Sequence, residues 1–472
     1  MPDISLRDYQ AHMLSEVRTA YAQGFRAPLL VAPTGSGKTV CFSYVAANAR
    51  AKGNCTLILV HRRELLEQTS RTLDAFGVEH GRIAAGEPQT DAAVQIASVQ
   101  TLVRRLERMT WAPDLIVVDE AHHTTASTGH GRIIAAFPKA RVLGVTATPE
   151  RLDGQGLGTH VGGYFDRLVL GPSVADLIQR GYLSKPIVYA PAQALDLKGI
   201  ATRAGDYAQD ALAAAMDRPS ITGSAVAEYR RRCEGAPAIA FCVTVEHARN
   251  VAAAFTQAGY KAASIDGTLS AEDRAKRIAD LASGRLHVLT SCEIISEGTD
   301  IPIVGAAILL RPTQSLALYL QQVGRALRPY SGKERAVILD HVANSLRHGL
   351  PDDARDWNLD AKPRRQRAKD DDKPQQAVRQ CDHCQAVHAP APTCPECGHV
   401  HPIQQREIEH IDGELQEVTR QQADRLAQRR REQAKAQTLD DLRAIGRRRG
   451  YRPGWAEHVF KSRQQRQTAY HR

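Results

Sequence analysis

Eight residues, Ala32-Pro33-Thr34-Gly35-Ser36-Gly37-Lys38-Thr39, constrain the fold of this chain more than any other stretch. An apolar run, Leu29-Leu30-Val31, precedes them, and an apolar helical pattern at 40–49 follows. A strand, a glycine-rich turn and a helix in that order form a cradle for phosphate. Gly35 and Gly37 let backbone N–H groups from Thr34, Ser36 and their neighbours curl around a β-phosphate, because no Cβ obstructs them. Lys38 is placed to neutralise the β/γ oxygens, and the Thr39 hydroxyl to ligate Mg²⁺. Ala32 stands where the usual pattern has its first glycine.

A second segment, Asp119-Glu120-Ala121-His122, ends the apolar run Leu115-Ile116-Val117-Val118. Doubly wound folds place ligand groups at the carboxyl ends of strands. Asp119 is expected to hold Mg²⁺, Glu120 to polarise an attacking water, and His122 to couple the site to neighbouring loops. Asp-Glu at a strand end is common by itself. Placed 81 residues after Lys38, it predicts ATP hydrolysis.

The rest of the chain supports two α/β domains with a cleft between them. Strands are expected at 28–32, 56–60, 94–97, 115–118 and 142–146, with a helix over 62–75, and again at 238–243, 286–290, 305–310 and 335–339. Strands alternating with helices imply parallel sheets. The expected boundaries are 1–170 for the first domain and 171–350 for the second, with a bridge at 171–219. Residues 351–380 are rich in Asp, Lys, Arg, Pro and Gln and read as a linker.

Cys381-Asp382-His383-Cys384 and Cys394-Pro395-Glu396-Cys397-Gly398 form two Cys-x-x-Cys knuckles nine residues apart. Four thiolates can close a tetrahedral Zn²⁺ site, so Cys381, Cys384, Cys394 and Cys397 are expected to bind a structural zinc at 381–400. A piece this small has too little core to fold without metal. His383, His388 and His399 are competing ligand candidates, and a redox dithiol is the other reading. The remaining five cysteines are scattered and read as reduced, buried thiols.

Net charge sharpens the picture. Residues 420–472 carry fifteen Lys/Arg against five Asp/Glu, which accounts for the whole +10 of the chain. A neutral body with a basic tail at 401–472 suggests an electrostatic hold on nucleic acid, against a solvated helix surface. Tyr451, Trp455 and Phe460 interleave with arginines there, as stacking platforms or as the core of a small helical unit. Nothing reads as a signal peptide or a membrane span, so the soluble interior of a cell is the expected location, with no membrane partner.

Further segments resemble the motif series of superfamily 2 helicases. Leu6-Arg7-Asp8-Tyr9-Gln10 is similar to the upstream glutamine motif, which implies that Gln10 reads adenine. Val60-His61-Arg62-Arg63-Glu64-Leu65 resembles a nucleic-acid-contacting strand end, and Gly144-Val145-Thr146-Ala147-Thr148-Pro149 the motif linking hydrolysis to domain movement. Ala240-Phe241-Cys242-Val243-Thr244, Glu297-Gly298-Thr299-Asp300-Ile301-Pro302 and Gln321-Gln322-Val323-Gly324-Arg325-Ala326-Leu327-Arg328 resemble the fourth, fifth and sixth motifs. The resemblance implies nucleotide contacts from Gly298 and Asp300, and γ-phosphate charge stabilisation by Arg325 and Arg328.

It covers about residues 4–345 and points to the bacterial and phage branch of RadD-like, XPB-like and UvsW-like DNA helicases, of which RadD-like chains also carry a four-cysteine zinc element. The implied architecture is two tandem RecA-like parallel-sheet domains, a zinc ribbon and a basic helical tail. The implied activity is a DNA-dependent ATPase, acting with ATP, Mg²⁺ and Zn²⁺ on single-stranded, forked or duplex DNA in repair or recombination. A monomer is expected, with a single-strand-binding protein as the implied partner. An RNA helicase, a restriction-system motor and an ATP-gated DNA-binding adaptor are the alternatives. Gln321 stands against the RNA reading, because Asp-Glu-Ala-Asp-type RNA enzymes begin this motif with histidine.

Overall fold

The computed structural model describes residues 5–88, 90–109, 111–151, 153–191, 202–203, 206–207, 212, 216, 219–233, 235–292, 304–361, 378–381, 383–401, 436, 438–449 and 456. The chain divides into two compact units, Met1–Ile403 and Gln404–Arg472.

The first unit holds two large sheets. Strands β1 (Pro28–Val31), β2 (Thr56–Val60), β3 (Gly81–Ile83), β4 (Val94–Ser98), β5 (Leu115–Asp119), β6 (Arg141–Thr146) and β7 (Arg167–Leu170) form a parallel sheet in the order β3-β4-β2-β5-β6-β1-β7. Side chains on a strand alternate between faces, and both faces here are apolar. Leu29, Leu57, Ile116 and Val142 pack in one core, and Leu30, Ile58, Val117 and Leu143 in the other. The order sets β6 between β1 and β5. The carboxyl ends of those three strands therefore lie side by side, with Ala32 N donating to Thr146 O (3.0 Å) and Asp119 paired with Val145.

Strands β8 (Lys185–Tyr189), the short hairpin β9 (Thr202–Arg203) and β10 (Asp206–Tyr207), β11 (Ala238–Phe241), β12 (Ala262–Ile265), β13 (Val288–Ser291), β14 (Ala306–Leu309), β15 (Arg335–Asp340), β16 (Arg379–Gln380) and β17 (Ala386–His388) follow. Apart from the hairpin, they form one sheet in the order β12-β13-β11-β14-β15-β8-β17-β16. The six strands from β12 to β8 are parallel; β17 and β16 run antiparallel at the edge. One apolar core runs from the first sheet into the second, joining Ile58 and Val145 to Ile239, Leu309 and Ile338.

The nine expected strands all form. Five longer than two residues were not anticipated: β3, β7, β8, β12 and β17. They are short, carry Gly, Arg, Lys, Pro or Ala, and show no clear apolar alternation. β8 lies in the stretch read as a bridge and is an interior strand of the second sheet. The stretch read as a linker includes Trp357 and Leu359, packed against apolar cores, and β16.

In the second unit, a helix at Leu439–Arg449 buries Leu442 with Ala436 and Ala456, and Leu439 and Ile445 pack beside them. Thr438 starts it by a reciprocal bond with Asp441, whose N donates to Thr438 Oγ1 at 3.2 Å. Most of the basic helical tail expected at 401–472, including Tyr451, Trp455 and Phe460, lies outside the described residues, as do Gly298 and Asp300.

Candidate active site

The two sheets meet over one cavity of about 580 Å³. The first supplies Thr34, Gly35, Gly37, Lys38, Thr39, Asp119 and Glu120; the second supplies Gln321, Arg325 and Arg328. Gly35 and Gly37 have φ of +86° and +82°. A Cβ at Gly37 would lie 2.4 Å from Gln10 Nε2, so the turn leaves no room for a side chain. The helix Lys38–Ala51 starts at the loop and directs its free N–H groups toward the cavity. Lys38 Nζ donates to the carbonyls of Ala32 (3.1 Å) and Pro33 (3.2 Å). Burial pushes its ammonium below the usual lysine range, and Glu120 and Asp119 oppose that shift.

Gln10 and Ser36 stand behind the loop rather than on the cavity wall. Gln10 Nε2 and the Tyr9 hydroxyl both donate to Ser36 O, at 3.1 and 2.9 Å. The wall at this end is formed by Arg7 and Tyr182, with the guanidinium 4.5 Å from the ring centroid. Gln68, Arg71 and Phe76 line the other side. None of these five is among the expected site residues; Arg7 lies three residues before Gln10 in a quoted motif, and Tyr182 in a segment that also fits the family resemblance.

Asp119 closes β5, and its Oδ1 accepts the N–H of Glu120 at 3.0 Å. Glu120 is left-handed, φ +48°, a conformation uncommon for a residue with a Cβ. This bend turns its carboxylate back toward His122, with Oε2 3.4 Å from Nδ1. The Thr146 hydroxyl donates to Thr148 O (3.0 Å), so His122 Nδ1 is the donor in its 2.9 Å bond to Thr146 Oγ1. His122 thereby ties the end of β5 to the end of β6. His123 packs on His122 (4.1 Å between centroids) and on His61 (5.2 Å), extending the contact to the end of β2.

Arg325 comes from the last turn of the helix Leu316–Ala326, and Arg328 follows two residues past its end. Ser315 caps it, its hydroxyl accepting Leu318 N at 3.1 Å, and Leu316, Tyr319, Val323 and Ala326 bury one face. Gly324 permits close approach to the loop: a Cβ there would lie 2.7 Å from Thr34 Cβ. Arg325 is 5% exposed, and the Arg328 stem passes Gly35. An ion pair between Glu64 and Arg274 (3.5 Å) adds a second contact between the two domains.

Lys333 holds this segment from behind. Its Nζ donates to Arg328 O (2.8 Å), Val304 O (2.7 Å) and Ala326 O. A helix end leaves such carbonyls without partners, and the ammonium satisfies two of them together with a third from the approach to β14. Burial lowers its pKa to about 7. Lys333→Met keeps the stem but removes the donors. It is expected to lower kcat for ATP by about tenfold with KM little changed, since small displacements of catalytic groups are costly. Steady-state ATPase kinetics on folded protein check this, and an unchanged kcat would remove Lys333 from the site.

The four cysteines converge as expected. Cys381–Cys397 and Cys384–Cys394 sulfurs are 3.7 Å apart, and all four lie within 4.8 Å of one another. Tetrahedral zinc with 2.3 Å bonds needs a separation of about 3.8 Å, so the donor set fits that ion. Both knuckles share one geometry. Cys381 O and Cys394 O accept from Gln385 N (2.9 Å) and Gly398 N (3.0 Å), residues at φ +67° and +70°. The element is built onto the second sheet: β17 pairs with β8, Arg232 donates to Cys384 O (3.0 Å), and Glu396 meets Arg335 (2.8 Å).

No helix among the described residues is long and apolar enough to cross a membrane. A family model described as "Type III restriction enzyme, res subunit" matches residues 3–151, and one described as "Helicase conserved C-terminal domain" matches residues 224–330. A 51.5 kDa protein of a Lactococcus phage is 34% identical over 329 residues, covering 70% of this chain and 68% of its own. IRC3 of Saccharomyces cerevisiae, named as an ATP-dependent helicase, is 30% identical over 362 residues, covering 72% of this chain. The chain spans about half, 52%, of that yeast relative. Among solved structures, a fragment of an HsdR subunit of a type I restriction enzyme from Vibrio vulnificus superposes with a TM-score of 0.57 at 21% identity, covering 76% of this chain and 67% of the fragment. That likeness extends the two-domain parallel-sheet fold to a solved example.

Proposed function

The chain belongs to the ATP-hydrolysing superfamily 2 helicases, and from that premise we propose that it is a DNA-dependent motor that translocates on or remodels branched or duplex DNA in repair or recombination. The observation that carries this reading is the single cavity shared by Lys38, Thr39, Asp119 and Glu120 with Arg325 and Arg328. Lys38 and the loop N–H groups bind the β/γ-phosphates. Thr39 and Asp119 would hold Mg²⁺, which would supply neutralisation of the phosphate charge. Glu120 orients the attacking water, and its bent backbone directs its carboxylate. Arg325 and Arg328 stabilise the charge that builds on the γ-phosphate oxygens. Arg7 and Tyr182 give the nucleotide base a stacking wall, with Gln10 bracing the loop behind it. Because the arginines arrive from the second domain, hydrolysis depends on closure, and release of products reopens the cleft.

The choice of DNA rests on Gln321 at the start of the sixth motif, on the basic segment after residue 420, and on the zinc element that follows the motor, as in RadD-like chains. ATPase assays with single-stranded, duplex and forked DNA, and with RNA, test it. Stimulation by DNA is expected, and Lys38→Ala abolishes it. Stimulation by RNA alone would overturn the choice of substrate.

A further inference from the structure

We infer that residues 349–360 form a strap that holds the arginine-bearing helix over the phosphate loop, with Trp357 and Leu359 as its positioning residues. This rests on the composite-site reading above and adds the element that keeps the site assembled.

The root of the strap is bonded to the arginine helix itself. The Tyr319 hydroxyl donates to Gly349 O at 3.1 Å, and the His348 ring stacks on Tyr319 at 5.4 Å. Arg355 turns back on this root, with Nη2 3.0 Å from both His348 O and Leu350 O. Asp353 Oδ2 accepts Leu350 N at 2.7 Å. From Asp353 to Asp360 half-buried and exposed residues alternate, as in an extended segment lying on a surface.

The far end is bonded to the first domain. Leu359 O accepts the amides of Leu157 (3.1 Å) and Gly158 (3.0 Å), and Asp360 Oδ1 lies 2.6 Å from His160 Nε2. Leu359 packs on the core that covers one face of the first sheet, and Trp357 packs on that core and on the one shared by both sheets. Gly156 admits the strap, since a Cβ there would lie 2.4 Å from Leu359 O. Pro351, Asp353, Arg355 and Trp357 wall a cavity of about 270 Å³ whose other sides include Pro33 and Thr34 of the loop and Gly324 and Leu327 beside the arginines.

The chain therefore crosses between the domains before β8 and again after residue 349, and is back at the second sheet by β16. Each added crossing narrows the range of orientations the two domains can take. Held in this way, Arg325 and Arg328 meet a bound triphosphate without a long search, which is the entropic advantage of pre-positioning.

Two variants loosen the strap from opposite sides: Trp357→Ala removes its anchor, and Gly156→Ala displaces it without altering it. Hydrogen exchange at the amides of Leu157 and Gly158 reports whether it is seated. Both variants are expected to lose protection there and to lose about tenfold in kcat, with KM for ATP changed by less than about twofold; Trp357→Phe is expected to restore both. Lost protection with unchanged kcat would reduce the strap to packing. Retained protection in both variants would show that these residues do not hold it. Neither result touches the composite reading, which fails separately if Arg325→Ala leaves turnover intact.

Discussion

Arg325→Ala is expected to slow ATP turnover by about a thousandfold, the effect of removing an arginine that meets the transferring phosphoryl group. ATP binding should weaken far less. Lys38, the loop amides, Thr39 and Asp119 all belong to the first domain and remain in place, and the guanidinium contributes most when charge has built on the γ-phosphate oxygens. Arg325→Lys should not rescue turnover. An ammonium cannot reproduce the planar fork, and at 5% exposure there is little room for a different approach. Single-turnover hydrolysis together with nucleotide binding separates the two effects. Equal losses in binding and turnover would show that Arg325 serves the ground state alone. Adding Arg328→Ala should cost much less than a second thousandfold, because the two groups act on one charge.

The motifs of this cleft were legible because each carries its chemistry locally. Gly35-Ser36-Gly37-Lys38-Thr39 specifies a turn, a charge and a hydroxyl within one helical start. Asp119 follows from an apolar strand ending in acid. What assembles these pieces is encoded elsewhere. Lys333 reaches Val304, 29 residues away, and nothing in Tyr330-Ser331-Gly332-Lys333 announces it. Tyr182 stands at the cavity only because the chain turns there toward the second sheet. Trp357 and Leu359 sit in a stretch whose charged composition reads as linker, yet both pack on the core of the first domain. Composition averages over a stretch, and two apolar residues within it are enough to anchor it.

The left-handed bend at Glu120 belongs to the same class. Asp-Glu-Ala-His predicts the residues but not a φ of +48°. That conformation costs on the order of 1 kcal/mol or more and persists where its surroundings over-determine it. Here Asp119 holds the Glu120 amide and His122 meets its carboxylate, while His122 in turn is held by Thr146. A change at Thr146 would therefore reach the surroundings of Glu120 through His122.

The four-cysteine element makes the other large prediction, because it is part of a sheet. β17 covers the open edge of β8, whose Ile187 and Val188 are buried. Small metal-closed elements lose their fold with the ion, whose binding provides about 10–16 kcal/mol in peptides. Chelation, or Cys394→Ser, is expected to take zinc from one ion per chain to none and to release β17. The freed edge of β8 then presents unpaired N–H and C=O groups beside apolar side chains, an arrangement prone to edge-to-edge association. Metal-free protein should accordingly lose hydrogen-exchange protection at β17 and self-associate in light scattering, while the amides of β1, β2 and β5 in the first sheet stay protected. A metal-free chain that remains monodisperse with β17 protected would show that the knuckles fold without the ion. Their shared geometry, with Gln385 and Gly398 both left-handed under a cysteine carbonyl, would then be sustained by the sheet alone.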